Sequence, residues 1–412
     1  MMLSQLQLKN FKCFRNLTTV PFNSINLFTG INGRGKSTIL QALLLMRQSV
    51  EISHETSRLT FNGRSIELGN FDDIKNIHTP KTESIEFIYT FSRSNDHVEL
   101  YYRFKANEED NMSASIDSVN IKGEYENQVF RVSISKRKDL YYLNCDDKDV
   151  PMHWQNLIFS ERECSDKFLK FIHGLVEFER IHYVSANRIG PQDFYPRQST
   201  FGFPTVGARG EFTANILLLS KKKQQKVPEF LAAAPEASHT VLEQTEAWLQ
   251  KIFNGGRIDV KDVEANIVIM QMNSENASNM FKPLNIGFGY SYALPIIVSG
   301  LIAREGEILI VENPEAHLHP YAQSQIAKFL AQVSRNGVQV FVESHSDHIL
   351  NGLRVAVLDK IINVNDLNIL YFQRNADLDI IKIPIEADGA ITHWPPGFFD
   401  QTDKDFERLF GV

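Results

Sequence analysis

Cysteine is nearly absent from this chain. There are three in 412 residues, Cys13, Cys145 and Cys164, far apart and in no C-x-x-C pair. That excludes a disulfide framework and a thiolate zinc site, and it suits a reducing compartment. Long apolar runs are missing too. The longest nearly unbroken one, "YALPIIVSGLIA" at 292–303, contains a proline and falls well short of the roughly 20 residues needed to span a bilayer. The opening "MMLSQLQLKNFKCF" has no apolar stretch of the signal-peptide kind. The expectation is a cytoplasmic protein with no membrane partner. Positive charge is not in excess: 43 Lys and Arg against 50 Asp and Glu leave a formal charge of −7. Nothing therefore draws the whole surface to nucleic acid or anionic lipid, and any such contact must be local. Repeats, low-complexity linkers and heptad runs are also lacking.

What is present is a core-forming composition, 43% hydrophobic with 29 Phe, in a length that suits a large α/β domain with insertions. Alternation in "LSQLQLKNFKCF", with Leu6 and Leu8 on one side, predicts a strand, and "SINLFTG" a second. A glycine-rich loop then opens a helix expected from Ser37 to about Gln48. Residues 84–104 and 116–143 alternate β-branched and aromatic with polar residues, the pattern of antiparallel strands. Residues 150–182 are helical in character, and 212–254 are helical with breaks at Pro228 and Pro235. After Gly255 come a strand "RIDVKDVEANIVIMQM", a helix from about Ser291, strands "EILIVE" and "VQVFVES" each followed by a helix, and strands near 367–385. Strands alternating with helices imply a largely parallel sheet with sites at the carboxyl ends of its strands.

The motif with the clearest chemistry is "GINGRGKST". Gly30, Gly35, Lys36 and Ser37 satisfy G-x-x-x-x-G-K-[ST] between a strand and a helix. Glycines let main-chain amides wrap a phosphate at a helix N-terminus; Lys36 would reach the β and γ phosphates of ATP and the Ser37 hydroxyl would ligate Mg²⁺. "EILIVENP" supplies a hydrophobic strand ending in Glu312, where a cation held by Ser37 needs a second anchor. "VQVFVESHSDHIL" places His345 just after another apolar strand, where an imidazole can sense a γ-phosphate. "NIGFGYSYALPIIVSGL" offers Gly287, Gly289 and Ser291 before a helix, a second candidate cradle. One nucleotide cannot easily use two cradles of one chain; two facing chains can share them. The lysines of "SKKKQQK" at 220–226 read either as a phosphate contact or as a solvated helix face.

In this order the motifs resemble the ABC-type ATPase heads of the SMC and RecF class. "LQLKNFKCFRN" is similar to that class's first strand, and "GINGRGKST" to its Asn-Gly-x-Gly-Lys-Ser loop. "VENPEAHLHP", "VESHSDHIL", "NIGFGYSYALP" and the ending "WPPGFFDQTDKDFERLF" look most like the OLD and Septu PtuA type defence ATPases. The resemblance implies a P-loop head of residues 1–75 and 180–412 with a mostly parallel sheet, an antiparallel β arm at 76–149, and helical insertions at 150–182 and 212–254. It implies an ATP-sandwich homodimer. The loop residues Gly30, Asn32, Gly33, Arg34, Gly35, Lys36, Ser37 and Thr38 hold the nucleotide in one copy, with Gly287, Gly289 and Ser291 reaching across from the other. "AHLH" at 316–319, with His319, corresponds to the loop between the two sites, and His345 to the switch histidine. "IELGNFDDI" at 66–74 lies about where the glutamine loop belongs.

The sequence departs from that family's pattern in three places. Asn313 stands where hydrolysing members carry the Glu that polarises water, and an amide cannot accept the water's proton; Glu315 is the nearest acid that can. The long coiled coil is absent. The chain runs too short a distance beyond His345 for a TOPRIM nuclease domain, so an HNH or TOPRIM nuclease is expected as a partner. Three functions stay open: a slowly hydrolysing ATPase that restrains an effector in anti-phage defence, a RecF-like repair ATPase that binds DNA, and a metal-dependent hydrolase built from Glu315, His317, His319, Glu343, His345, Asp347 and His348.

Overall fold

The computed structural model describes all residues except 81, 94, 108–109, 138–139, 146–147, 161, 163–166, 198–201, 234–235, 237, 265, 276–278, 375–377 and 412, so Cys164 and Pro235 lie outside the described residues. The chain forms two compact units: Met1–Asn23, Gly33–Ile181 and Ala376–Leu378; and Ser24–Asn32, His182–Asn375 and Asp379–Val412.

The first unit is built on an antiparallel sheet. Its strand order is Lys148–Pro151, Leu140–Cys145, Gln128–Arg137, Ser113–Tyr125, Asp96–Ala106, Ile85–Arg93, Met2–Lys9 and Thr18–Pro21, with Arg58–Thr60 also on Ser113–Tyr125. Alternation does what period-two patterning requires. Leu6, Leu8, Val98, Leu100, Tyr102 and Phe104 are buried, while Glu99, Tyr101 and Arg103 between them are not. Aromatic pairs reinforce the buried face, with Phe11 and Phe104 both edge-on to Phe87 at 5.0 and 5.3 Å between ring centroids. The helix Lys36–Ile52 buries Ile39, Leu40, Leu43, Leu44 and Met46 in this unit, and Tyr89 donates its hydroxyl to the Ala42 carbonyl at 3.0 Å. Gln48 holds "IELGNFDDI" in place: its side-chain carbonyl accepts from the Ser65 and Ile66 amides at 3.2 and 3.0 Å.

The second unit carries a six-stranded sheet in the order Ile181–Val184, Ile308–Glu312, Gln339–Glu343, Ile25–Gly30, Leu367–Arg374, Leu378–Ile383. Ile308–Glu312, Gln339–Glu343, Ile25–Gly30 and Leu367–Arg374 are parallel neighbours. Parallel strands covered on both faces need continuous apolar runs, and Leu27, Phe28, Leu309, Ile310, Val311, Val340, Phe341 and Val342 are all fully buried. Helices Pro320–Arg335, Asp347–Leu358 and Phe288–Ile302 pack into the same core, the last apolar on nearly every side. The register aligns Glu312 with Glu343 and Gly30 with Phe372, so the ends of these strands form one carboxyl edge.

Several expectations change. The first helix begins at Lys36 and runs to Ile52. Within 150–182 the described residues hold one helix, Lys167–Leu175, alongside a small hairpin of Trp154–Gln155 and Ile158–Phe159. "RIDVKDVEANIVIMQM" is not one strand but two, Arg257–Glu264 paired antiparallel with Ile267–Asn273. Within 212–254 the helices are Thr213–Lys223 and Val241–Phe253, with a 3₁₀ turn Glu229–Leu231 directly after Pro228. The lysine run sits in the last turn of Thr213–Lys223, where Lys221 pairs with Asp259 at 2.7 Å and Lys222 with Asp262 at 2.6 Å, on the solvated face. Among the described residues no helix is long and apolar enough to cross a membrane.

Candidate functional site

The glycine loop leaves the strand Ile25–Gly30 at the carboxyl edge of the second unit's sheet. Gly30 has φ +121°, and a Cβ there would stand 2.2 Å from the Phe372 carbonyl oxygen. The Ile31 amide donates to that same oxygen at 3.2 Å. Gly33, at φ +73°, faces open space; Gly35, at φ +95°, sits on the helix Lys36–Ile52 as its N-cap, 2.9 Å from Cys13 Sγ for an added Cβ. Three glycines in left-handed or related conformations turn a loop so that its amides, not side chains, line the inner surface. Asn32 and Arg34 lie between them, Asn32 exposed. No side chain caps the helix start and no acid lies in its first turn. Lys36, 3% exposed, is the first residue of that helix, and Thr38 is also buried. A cation at the positive end of a helix is electrostatically unfavourable by itself. The arrangement suits an anionic ligand, and the donor set fits a phosphate.

Glu312 and the residues after it lie at the carboxyl edge of the second unit's own sheet. Glu312 ends its strand; its Oε2 accepts from the Ala186 amide at 3.2 Å. Burial pushes the carboxyl up from its ordinary range, opposed by the Ala186 amide, the Tyr183 hydroxyl and the Arg188 charge. Asn313 follows in the left-handed region at φ 44° and donates its amide to the Glu343 carbonyl at 2.8 Å. Asn is far better tolerated there than longer side chains, which is a conformational reason for its presence. Glu315 is committed on both oxygens: Oε2 accepts from Ser344 Oγ at 2.8 Å and Oε1 from the His345 amide at 2.9 Å. His345 is exposed.

The second candidate cradle, Gly287 to Ser291, lies at the start of the helix Phe288–Ile302. Gly287, at the N-cap, is exposed and no side chain caps the turn. Gly289 abuts the 316–319 loop, where a Cβ would come within 2.9 Å of the His317 carbonyl oxygen. Ser291 is 6% exposed and its Oγ has no hydrogen-bond partner. Tyr292 packs on the His317 ring at 4.3 Å. His319 caps the helix Pro320–Arg335, its Nδ1 accepting from the Tyr321 amide at 3.4 Å.

Glu312, Asn313, Glu315, His345, Gly289 and the His317–His319 loop are therefore neighbours. The seven residues of the hydrolase reading are not a metal site: among the described residues no group of three or more His, Cys, Asp or Glu is placed to hold an ion. His317 packs at a tilt on Tyr292, His319 caps a helix and Glu315 binds a turn, and each is thereby turned to a different task.

One residue escaped the sequence reading. Arg188, 3% exposed, donates from Nη1 to the Glu312 carbonyl at 3.1 Å and from Nη2 to the Asn313 carbonyl at 2.6 Å, and lies over the Tyr292 ring at 5.4 Å. Burial brings its guanidinium down to about 10, against the pull of Glu315, Tyr292 and Glu312. The available signal was an arginine just beyond the carboxyl end of a buried strand, in "HYVSANR".

Comparison with known families gives a match to the model described as AAA ATPase domain over residues 1–350, and to one described as a protein of unknown function (DUF3696) over 362–409. Comparison with curated proteins gives no significant match. Among solved structures, the SMC head domain from Thermotoga maritima is similar at 12% identity and a TM-score of 0.44, covering 93% of this chain and 100% of that one. An SMC head bound to the C-winged helix domain of ScpA has 12% identity and a TM-score of 0.44, covering 94% and 98%. An SMC head with an extended coiled coil, bound to the C-terminal domain of ScpA and derived from Pyrococcus furiosus, has 12% identity and 0.46, covering 99% of both chains. With the family model spanning residues 1–350, this α/β chain belongs to the AAA ATPase domain family: it is a nucleotide-binding ATPase.

Proposed function

We propose that the protein is a nucleotide-held dimer switch that cleaves ATP slowly. Gly30 to Thr38 receive the phosphates through their main chain, and Lys36 neutralises the β and γ groups. Ser37 and Glu312 hold Mg²⁺, which when bound supplies charge neutralisation on the phosphates. Gly287, Gly289 and Ser291 of a second copy close over the nucleotide, and His345 senses its γ end. The closed dimer restrains or releases an effector protein of the HNH or TOPRIM nuclease class, as an anti-phage defence subunit does.

The observation that carries the slow step is Asn313. It occupies the position after the strand-ending acid, it cannot accept a proton, and the acid left for that role, Glu315, has both oxygens already engaged by Ser344 and His345. The dimer rests on Ser291 and its glycines: a buried hydroxyl lacking a partner and an uncapped helix start are what an incoming phosphate would satisfy.

Ser291→Arg tests it. The variant should bind a non-hydrolysable ATP analogue as a monomer, with affinity unchanged, and fail to dimerise by sedimentation velocity. Dimerisation undiminished by the arginine would overturn the shared-site arrangement. Salt-dependent binding of the closed dimer to duplex DNA would instead favour the repair function.

A further inference from the structure

The nucleotide motifs leave Arg188 unused, yet its setting is unusual. A buried guanidinium ordinarily faces a carboxylate. Here its hydrogen bonds go to two consecutive main-chain carbonyls, those of Glu312 and Asn313, at 3.1 and 2.6 Å, while the Glu315 and Glu312 carboxylates act on its charge without a hydrogen bond to it. The Nε atom is buried with no hydrogen-bond partner, and the aromatic face of Tyr292 covers the group at 5.4 Å. Two carbonyls in succession fix two successive peptide planes. Those planes set where the Glu312 and Asn313 side chains leave the main chain, and Asn313 is already in the left-handed region at φ 44° with its amide tied to Glu343. Pro314 follows and narrows the remaining freedom. Within the turn the Ala316 amide also donates to the Asn313 carbonyl, at 3.1 Å.

Tyr292 adds a second link. Its ring contacts both Arg188, at 5.4 Å, and His317, at 4.3 Å, and it directly follows Ser291 in the helix Phe288–Ile302. A shift at that helix start therefore reaches the Glu312–Asn313 turn through one side-chain stack.

We propose that Arg188 is a positioning residue for ATP turnover: clamped on Tyr292, it holds the Glu312–Asn313 main chain in the orientation that turnover requires, without itself contributing to nucleotide affinity. This rests on the reading of Glu312 and Asn313 given above. Lysine keeps the charge but loses the guanidinium's rigid forked geometry, and glutamine keeps one donor group without the charge.

The test uses the full chain with Arg188→Lys, Arg188→Gln and Tyr292→Leu. Without nucleotide, amide hydrogen exchange of the peptide 308–318 should speed up by about tenfold or more in Arg188→Gln, while exchange in Ile25–Gly30 stays as in the parent. In steady-state assays kcat should fall by roughly 10- to 100-fold, with ATP affinity by calorimetry held within about threefold. Arg188→Lys should recover part of kcat, and Tyr292→Leu should lose kcat in the same direction by less. If Arg188→Gln does not fold, Arg188→Lys and Tyr292→Leu decide by the same two readouts. Parental exchange and kcat in the variants, or lost affinity at unchanged kcat, would overturn the proposal. Failure of the nucleotide reading is separate: it appears as ATP binding that survives Lys36→Ala, whereas the exchange readout needs no nucleotide.

Discussion

Replacing Gly30 by alanine puts a methyl group where the neighbouring strand's main chain already is. The added Cβ would lie 2.2 Å from the Phe372 carbonyl oxygen and 2.8 Å from its nitrogen, and φ +121° is a conformation that L residues rarely adopt. Both obstacles are backbone, so no side chain can swing aside. The parallel pair of Gly30 with Phe372 must part, taking with it the Ile31 amide bond to that carbonyl. Backbone strain of about 1–2 kcal/mol, a lost hydrogen bond of about 1 kcal/mol and local overpacking of about 1 kcal/mol together put the cost at about 3 kcal/mol or more. Gly33 is the control. It too has a positive φ, +73°, but nothing lies within 4 Å of its added Cβ, so strain alone applies, about 1 kcal/mol. Thermal melts of the nucleotide-free proteins should therefore show Gly30→Ala lowered by roughly 6–12 °C and Gly33→Ala by roughly 2–4 °C. Equal shifts for the two, or a neutral Gly30→Ala, would refute the inference that the loop is held against the Leu367–Arg374 strand through its first glycine.

Two further outcomes follow from the acids. If residue 313 faces the attacking water as proposed, Asn313→Glu supplies a proton acceptor there for a conformational cost of about 1 kcal/mol at φ 44°, and turnover by phosphate release should rise by about tenfold or more from a parental rate below the roughly 10 per second of a median enzyme. An unchanged rate would mean that residue 313 does not limit cleavage. Glu312→Gln removes a carboxyl that burial holds above its ordinary range. A raised acid contributes stability that is present below its unfolded value and lost as pH rises through its folded value. The glutamine variant should thus melt higher than the parent near pH 7–8 without nucleotide, with the difference vanishing on acidification below about pH 4, and it should need more Mg²⁺ for tight ATP binding; a parental melting curve at both pH values would contradict it.

The parts of the fold visible in the sequence are those where one residue type answers to one constraint. Leu27 and Phe28, Leu309 to Val311 and Val340 to Val342 read as parallel strands because both of their faces are covered. The glycines of "GINGRGKST" read as a tight loop between a strand and a helix, and Gly30, Gly33 and Gly35 each take a positive φ. The hairpin of Arg257–Glu264 and Ile267–Asn273 was not legible, since strand-forming residues flank its turn closely on both sides. The helix Gln401–Phe410 was missed although Phe406, Leu409 and Phe410 recur at helical spacing; it is short and otherwise polar, and all of its residues are exposed. Arg188 was invisible for another reason. Its partners are main-chain carbonyls 124 and 125 positions further along the chain, and a carbonyl leaves no trace in residue identity. Asn313 was legible as a missing acid but not as a left-handed residue, which depends on the turn closed by Glu343.

Every role proposed for this chain depends on Mg·ATP binding through the loop Gly30 to Thr38. Isothermal titration of Mg·ATP into the parent and into Lys36→Ala tests it most directly. The parent should bind one nucleotide per chain and the variant none measurably, with both proteins melting alike in the absence of nucleotide. Parental affinity in Lys36→Ala would contradict it.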